Sequence, residues 1–110
     1  MTGIMHHVRW TETAEDDLSS IVDYIAGDNP DAALEVFLNI TALAEDLVAH
    51  PERGRIVPEL RKHGVFHYRE LLPTPWRVIY RMEETTVFVT AVIDGRRDLE
   101  QLLLERVGRM

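Results

Sequence analysis

Apolar residues recur in the first half of the chain at the spacing of amphipathic helices. In the first predicted helix they fall on one stripe, at Ala14, Leu18, Ile21, Val22 and Ile25. Thr11 or Thr13 can cap this helix, and the acidic residues that follow suit its positive end. Residues 5–10 precede it as a predicted short strand, because Val8 and Trp10 alternate with polar neighbours.

A second helix follows after a very short link. Gly27 suits a left-handed position at the end of the first helix. Asn29 is a suitable N-cap for the next helix, and Pro30 suits its first position. That helix is predicted to run to about His50, just before Pro51. Its apolar stripe is Ala33, Val36, Phe37, Ile40, Leu43, Ala44, Leu47 and Val48. Two amphipathic helices joined so closely are typical of an antiparallel hairpin, with the acidic residues on a solvated outer face.

The second half of the chain changes to strand patterns. Residues 51–64 contain two prolines and two glycines and predict a loop, with room for one helical turn. Three strands are expected over residues 65–71, 76–82 and 86–93, with residues 83–85 as a hairpin connection between the last two. The third of these strands is apolar at nearly every position, which predicts that both of its faces are covered.

A last helix completes the predicted fold. Asp98 can cap it, and its stripe is Leu99, Leu102, Leu103 and Val107. The order β-α-α-β-β-β-α predicts an α+β protein, a helical hairpin packed on a mostly antiparallel four-stranded sheet. The first strand has no near neighbour in sequence to pair with, so it must join the sheet at an edge or through a crossover. Residues 1–110 are expected to form one domain.

The cysteine count, the hydropathy and the net charge exclude several classes of protein. The 110 residues include no cysteine, which excludes a disulfide scaffold and cysteine-based metal sites and fits a reducing cytoplasm. Because the first residues have neither a basic start nor an apolar stretch, and no apolar run is long enough to span a membrane, we expect neither an export signal nor a membrane-spanning segment. The net charge is −7, with ten acids against one base in residues 1–50 and nine acids against eleven bases in residues 51–110. A cationic face for nucleic acid is therefore available only locally, from the second half.

The histidines give weak signals. His6 and His7 are adjacent in a predicted strand, so their side chains point to opposite faces and are poorly placed to chelate one ion. His63 and His67 are each either a catalytic imidazole or, more simply, a polar surface residue. The sequence has no phosphate-binding glycine loop, no nucleophile elbow and no metal-ligand spacing, so neither a metal nor a cofactor is expected.

Arginines of the predicted sheet are the stronger candidates. Arg77 and Arg81 are four apart in one strand and share a face. Arg69 lies in the neighbouring strand, and Arg96 and Arg97 follow the last strand. If strand pairing brings these residues together, they form a cationic patch whose guanidinium groups can hold phosphates or carboxylates. The patch alone distinguishes neither RNA from DNA nor either of these from an acidic protein segment.

A structural role explains the same residues equally well. Arg77 and Arg81 can instead pair with Glu70, Glu83 or Glu84 across neighbouring strands.

The order and spacing of several short motifs resemble the RelE/ParE toxin superfamily over nearly the whole chain. These motifs are 14–18 (AEDDL), 24–26 (YIA), 29–33 (NPDAA), 51–55 (PERGR), 58–60 (PEL), 68–71 (YREL), 76–81 (WRVIYR) and 95–99 (GRRDL). The resemblance implies the toxin of a bacterial type II toxin–antitoxin pair. A cognate antitoxin would bind DNA with its N-terminal part, wrap the toxin with its C-terminal tail, neutralise the arginines with carboxylates and repress the pair's own promoter.

The superfamily has two activities, and the resemblance implies different roles in each. In the RelE-like branch, which cuts mRNA on the ribosome, Arg69, Arg77 and Arg97 would fill the basic roles. No tyrosine or histidine follows Tyr80, however, and Asp94 stands where many relatives have histidine.

Together with the net charge of −7, these departures favour the ParE-like branch, which inhibits DNA gyrase without chemistry of its own. The contact residues for the partner would then be Arg69, Arg77, Arg81, Arg96 and Arg97. A ribosome-dependent mRNA endonuclease, or a degenerate toxin that only binds antitoxin, are the alternatives.

Overall fold

The computed structural model describes residues 6–96 and 99–107. Its strands are β1 (His7–Trp10), β2 (Arg55–Ile56), β3 (Tyr68–Leu71), β4 (Trp76–Glu83) and β5 (Thr86–Asp94). Its helices are α1 (Glu12–Ala26), α2 (Pro30–Glu45), α3 (Pro58–Arg61) and α4 (Glu100–Val107), with a 3-10 turn at Asp46–Val48. The α+β order predicted from the sequence is confirmed.

The sheet has five strands rather than the predicted four, in the order β1-β5-β4-β3-β2. The additional strand is β2, whose Arg55 and Ile56 pair antiparallel with Glu70 and Arg69 of β3. Two residues are too short for an alternating pattern, so the sequence pointed only to a loop there. β1 lies at the opposite edge and is parallel to β5, as expected of a strand separated from the others by a helical hairpin.

The two faces of the sheet carry different helices. The hairpin of α1 and α2 packs on one face and buries Ala14, Leu18, Ile40, Ala44, Leu47, Leu71, Val78, Tyr80, Val87, Val89 and Val92. Helices α3 and α4 cover the other face and bury Val57, Leu60, Tyr68, Ile79, Ala91, Ile93, Leu99 and Leu103. These two layers confirm that β5 is covered on both sides.

The pairing of β5 with β4 contains one irregularity. Tyr80 pairs with Val89 whereas Ile79 pairs with Ala91, so Thr90 has no opposite residue in β4. The extra residue is a β-bulge, which changes the alternation of side chains along the strand. Thr90 is fully buried, and its hydroxyl donates to the carbonyl of Ile79 at 3.2 Å.

The helix ends follow local sequence rules with two corrections. Thr11 caps α1 and Asn29 caps α2, each accepting a hydrogen bond from the backbone N–H three residues later. Gly27 has a φ of −58°, so the predicted left-handed conformation is wrong. Helix α2 ends at Glu45 rather than near His50, because the chain tightens into the 3-10 turn.

Two other boundaries complete the comparison. β3 begins at Tyr68, three residues later than predicted. The N-cap predicted at Asp98 lies outside the described residues.

Helix α4 is tied to α1 across the edge of β5. The carboxylate of Asp17 accepts two hydrogen bonds from Arg106, at 2.6 and 3.0 Å, and one from the backbone N–H of Val92, at 3.0 Å. β1 pairs with β5 only as far as Val89. Asp17 therefore satisfies a backbone donor on the uncovered part of this edge, which is one way that proteins protect exposed strand edges.

None of the helices in the described ranges is long and apolar enough to cross a membrane.

Candidate functional site

Arg77, in the middle of the sheet, is buried and held by two carboxylates. Its Nη1 and Nη2 donate to the two oxygens of Glu59 at 2.5 and 2.7 Å, and its Nε donates to Glu70 at 2.6 Å. The Arg77 side chain is 9% exposed and that of Glu70 is fully buried. Glu59 lies on α3, so this cluster attaches the short helix to the sheet. The pairing of Arg77 with Glu70 was one of the two alternatives predicted.

The cluster extends to the edge of the sheet. The second oxygen of Glu70 accepts from Nε of Arg55 in β2, at 2.8 Å. The hydrogen bonds that Arg77 donates to Glu59, together with the charge and hydrogen bond of Glu70, raise the pKa of Arg77 against the opposing effect of burial. The hydrogen bond from Arg77 lowers the pKa of Glu59. Two carboxylates therefore balance the charges of two arginines in this cluster.

The lowered pKa of Glu59 predicts a specific acid sensitivity. Its stabilising contribution is fully present above the unfolded-state pKa, near 4.5, and is lost as the pH falls through the lower folded-state pKa. Glu59→Gln is expected to lower the free energy of unfolding by about 2 kcal/mol at neutral pH. This deficit should shrink towards zero as the pH falls below 4.5, which urea unfolding at a series of pH values measures.

Glu35→Gln is the matched control, because Glu35 is an exposed carboxylate on α2. It should change stability by less than about 0.5 kcal/mol at any pH. A Glu59→Gln deficit that is independent of pH would contradict the assignment of Glu59 as an ionised partner of Arg77.

The other predicted arginines are placed differently. Arg81 shares a face with Arg77, as predicted, and its Nη1 donates to Glu83 two residues along the strand, at 2.8 Å. Its guanidinium also lies over the ring of Phe88, 4.7 Å from the centroid. Arg96 is exposed and pairs with Asp94, whose hydrogen bond raises the pKa of Arg96.

Arg69 lies on the opposite face from Arg77 and Arg81. It pairs in register with Tyr80, whose ring is in the core beneath the helical hairpin. Its Nη1 donates to the backbone carbonyl of Gly54 at 2.7 Å. The Tyr80 hydroxyl accepts from the Gly54 N–H at 2.9 Å and donates to the Pro51 carbonyl at 2.8 Å. Burial raises the pKa of Tyr80, so the phenol stays neutral and can make both hydrogen bonds.

The four of these arginines that the structure describes therefore do not converge on one concave patch. Arg77 is neutralised inside the protein, Arg69 and Arg81 point from different faces, and Arg96 is paired at the end of β5. Arg97 lies outside the described residues. Contacts of these arginines with a partner stay a prediction.

A small cleft lies at the end of the sheet where β3 begins, and Arg69 and Arg81 belong to its lining although their side chains project from opposite faces of the sheet. It measures about 200 Å³ and is lined by Glu52, Phe66, His67, Arg69, Tyr80, Arg81 and Met82. Sequence reasoning had placed both arginines in a binding surface but had not placed Phe66 with them. Phe66 lies at the start of the predicted strand 65–71, and the sequence assigned it no place in the core.

The histidines form no metal centre. No group of three or more metal-ligating side chains occurs among residues 6–96 and 99–107. His63 lies 3.5 Å from Glu100, and His67 stacks obliquely on Tyr68 with ring centroids 4.5 Å apart.

A second candidate surface lies on the helical hairpin, where sequence reasoning predicted core. A groove of about 390 Å³ runs between α1 and α2. It is lined by Trp10, Glu15, Leu18, Ser19, Val22, Asp23, Phe37 and Thr41. Phe37 was predicted to be buried but is 41% exposed, and Leu34, Leu38 and Tyr24 are more exposed still. Helix α2 therefore carries apolar side chains on more of its circumference than the sheet can cover.

Comparisons with known proteins place these features in a family. Residues 8–99 match the model of the ParE toxin of type II toxin–antitoxin systems. A relative named Toxin RelE2, from Caulobacter vibrioides, is 42% identical over 94 residues, which cover 84% of this chain and 99% of the relative.

Solved structures share the fold. A chain of the chromosomal ParDE toxin–antitoxin system from P. aeruginosa superimposes with a TM-score of 0.64 and 24% identity, over 82% of this chain and 96% of that one. A chain of the toxin–antitoxin complex RelBE2 from Mycobacterium tuberculosis superimposes with a TM-score of 0.60 and 22% sequence identity. The superposition covers 83% of this chain and 99% of that one. On the family match and the identity to a full-length relative, the chain belongs to the ParE toxin family, within the RelE/ParE superfamily of type II toxin–antitoxin systems.

Proposed function

We propose that this toxin inhibits DNA gyrase, is neutralised by a cognate antitoxin and has no nuclease chemistry of its own. The observation that carries the proposal is the state of Arg77. A nuclease of this superfamily would need a free cation near the centre of the sheet, where negative charge develops on the phosphorus in the transition state. Here that guanidinium is buried and its charge is already balanced by Glu59 and Glu70.

The cost of freeing Arg77 supports the same conclusion. To face a phosphate, the guanidinium would have to leave three charged hydrogen bonds of 2.5 to 2.7 Å and expose the fully buried carboxylate of Glu70. Breaking a buried ion pair costs several kcal/mol. Catalysis requires cations that are preorganised toward the transition state rather than toward internal partners.

Gyrase inhibition is tested with purified gyrase and the toxin released from its antitoxin. Increasing toxin should abolish supercoiling of relaxed plasmid and accumulate cleaved DNA, and toxin mixed with excess antitoxin should have no effect. The proposal would be contradicted if the toxin stops growth when it is expressed in cells but leaves the supercoiling activity of purified gyrase unchanged.

Ribosome-dependent mRNA cleavage is the second candidate, because the Caulobacter relative at 42% identity carries the name RelE2. Mapping of mRNA 5′ ends after the toxin is added to translating ribosomes tests this candidate, since a nuclease would create new 5′ ends within codons. A chain that is inactive in both assays and harmless when expressed would be a degenerate toxin that retains only antitoxin binding.

The groove between α1 and α2 is the surface that we assign to the antitoxin. A chain of 110 residues with four large apolar side chains exposed on one hairpin gains stability from a partner that covers them. The groove has an apolar floor that includes Leu18, Val22 and Phe37, with Glu15 and Asp23 beside it. An amphipathic helix in an apolar groove is a recurrent mode of peptide recognition.

Phe37→Glu should weaken binding of the antitoxin encoded beside the toxin. The substitution places a charge where an apolar partner would be buried, and the loss is expected to be about thirtyfold or more in Kd, as for an interface hot spot. Isothermal titration measures it. Asn39→Glu is the matched control, because it adds the same charge to an exposed position on the opposite side of α2. Equal affinities for the two variants would contradict the assignment.

A further inference from the structure

The helical hairpin formed by α1 and α2 is rich in acidic side chains and poor in cations. All ten acids of the first fifty residues lie between positions 12 and 46, and this stretch contains no lysine, arginine or histidine. Only two of the ten, Asp17 and Asp46, form an ion pair with another residue of the described ranges. Protein surfaces usually carry both signs of charge interspersed. The hairpin therefore presents a negative surface that few cations of the described chain balance.

Two of these acids lie at the groove between α1 and α2, and both belong to α1. Glu15 and Asp23 line the groove and are exposed. They are eight residues apart in one helix, which places them about 12 Å apart along its axis. The rim on α2 is apolar instead, because Leu34, Phe37 and Leu38 share one flank of that helix and are each exposed. The groove therefore has an acidic rim on α1 and an apolar rim on α2.

Helix stability does not account for the acid at one end of this rim. Asp23 is in the last turn of α1, where the helix dipole favours cations, and that turn has no basic residue. Local rules of this kind are broken most often at sites that serve a function. A charged partner in the groove therefore explains Asp23 better than the helix itself does.

We propose that the groove binds an amphipathic helix with one basic edge, whose lysines or arginines lie about 12 Å apart, opposite Glu15 and Asp23. This inference rests on the assignment of the groove to the antitoxin, and it specifies the chemistry of the segment that binds there. The apolar stripe of the partner helix covers Leu18, Val22 and Phe37, while its cations meet the acidic rim. The two unlike rims also fix the rotation of that helix in the groove.

Other occupants fit the acidic rim less well. A second copy of this chain, packed hairpin to hairpin, would bring an equally acidic surface against it, and like charges facing each other cost free energy. A purely apolar helix would cover the floor of the groove but leave Glu15 and Asp23 without counter-charges. Complementary charges at an interface raise the association rate and suppress wrong partners. We therefore expect the acidic rim to select the cognate antitoxin.

Two labelled helical peptides test this charge preference with the full-length toxin. Both have about eighteen residues, or five turns, and the same leucine stripe, with edge residues that are lysine in one and glutamate in the other. Fluorescence anisotropy should show about tenfold tighter binding of the lysine peptide, with a difference that shrinks as salt is raised. The double variant Glu15→Lys with Asp23→Lys should abolish the preference. A lysine peptide that binds no better than the glutamate peptide would overturn the inference.

The double variant Glu35→Lys with Glu105→Lys is the matched control. It changes the net charge equally, at exposed carboxylates outside the groove, and it should keep the preference for the lysine peptide. An equal loss of preference in both double variants would mean that the total charge attracts the peptide, which overturns the site. Lysine suits the last turn of a helix, so Asp23→Lys alone keeps the test valid if the variant with Glu15→Lys unfolds.

The antitoxin encoded beside the toxin separates this inference from the proposed function. Reversal of Glu15 and Asp23 should lower its association rate about tenfold at low salt, whereas Phe37→Glu should mainly speed its dissociation. An effect of Phe37→Glu with none from charge reversal would keep the antitoxin in the groove and refute its basic edge. Insensitivity to both would remove the antitoxin from the groove, and the inference with it. Gyrase inhibition is measured without the antitoxin, so it stands or falls separately.

Discussion

Arg77→Ala is expected to lower the free energy of unfolding by about 3–5 kcal/mol, a large part of the stability of a small domain. The substitution removes three charged hydrogen bonds at once. It also leaves the carboxylate of Glu70, which is fully buried, with Arg55 as its one remaining cation. Urea unfolding followed by circular dichroism measures this loss of stability. We also expect α3 to detach from the sheet in this variant.

Arg81→Ala is the matched control, since Arg81 lies four residues further along the same strand and face. Its ion pair is solvated, so the loss should stay near 1 kcal/mol, mostly from the contact with Phe88. Equal losses for the two variants would mean that the cluster around Arg77 contributes no more than a surface ion pair.

A second comparison separates charge balance from packing. The triple variant Arg77→Met, Glu59→Leu and Glu70→Leu removes all three of these charges. It leaves only Arg55 without its partner, and that side chain is half exposed. Such replacements of buried ionic clusters are often neutral or stabilising. The triple variant should therefore be clearly more stable than Arg77→Ala.

Gly54→Ala is the other substitution with a large expected effect, about 3 kcal/mol or more. A Cβ at this position would lie 2.5 Å from the carbonyl oxygen of Glu70 and 2.7 Å from the hydroxyl of Tyr80. The first is backbone of a paired strand, so it cannot move without separating β2 from β3. The variant should also lose the hydrogen bond that Gly54 donates to Tyr80.

Gly64→Ala provides the contrast. Gly64 has a φ of +81°, with no atom near the position of a Cβ. Its substitution should cost about 1 kcal/mol from the left-handed backbone alone. Thermal unfolding of the two variants distinguishes a steric requirement from a conformational one, and equal shifts in Tm would contradict the close approach at Gly54.

Much of the fold was predictable because it depends on local rules. The capping residues Thr11 and Asn29 and the alternation in β4 each act over a few neighbours in sequence. The errors occurred where long-range contacts decide. β2 pairs with an edge that β3 leaves free, and the bulge at Thr90 lies just beyond the last residue of β5 that pairs with β1.

The candidate site was predictable in its residues but not in its arrangement. The sequence identified the arginines and their possible glutamate partners, and it left open whether Arg77 faces a ligand or Glu70. It did not indicate that Glu59 approaches Arg77 from a helix eighteen residues away in sequence, nor that Phe37 is exposed. A periodic pattern shows which side chains share a face, but not whether another element covers that face.

By itself, the sequence determined the helical hairpin, the three long strands, the family and the concentration of acid in the first half. The tertiary structure decided which arginines keep their charge available. Arg77 lost it because α3 packs Glu59 over the sheet, whereas Arg69 kept it because a backbone carbonyl is its partner. The physical reason is that ion pairing depends on distances of a few ångströms between residues far apart in the chain, which only the packing of helices on the sheet sets.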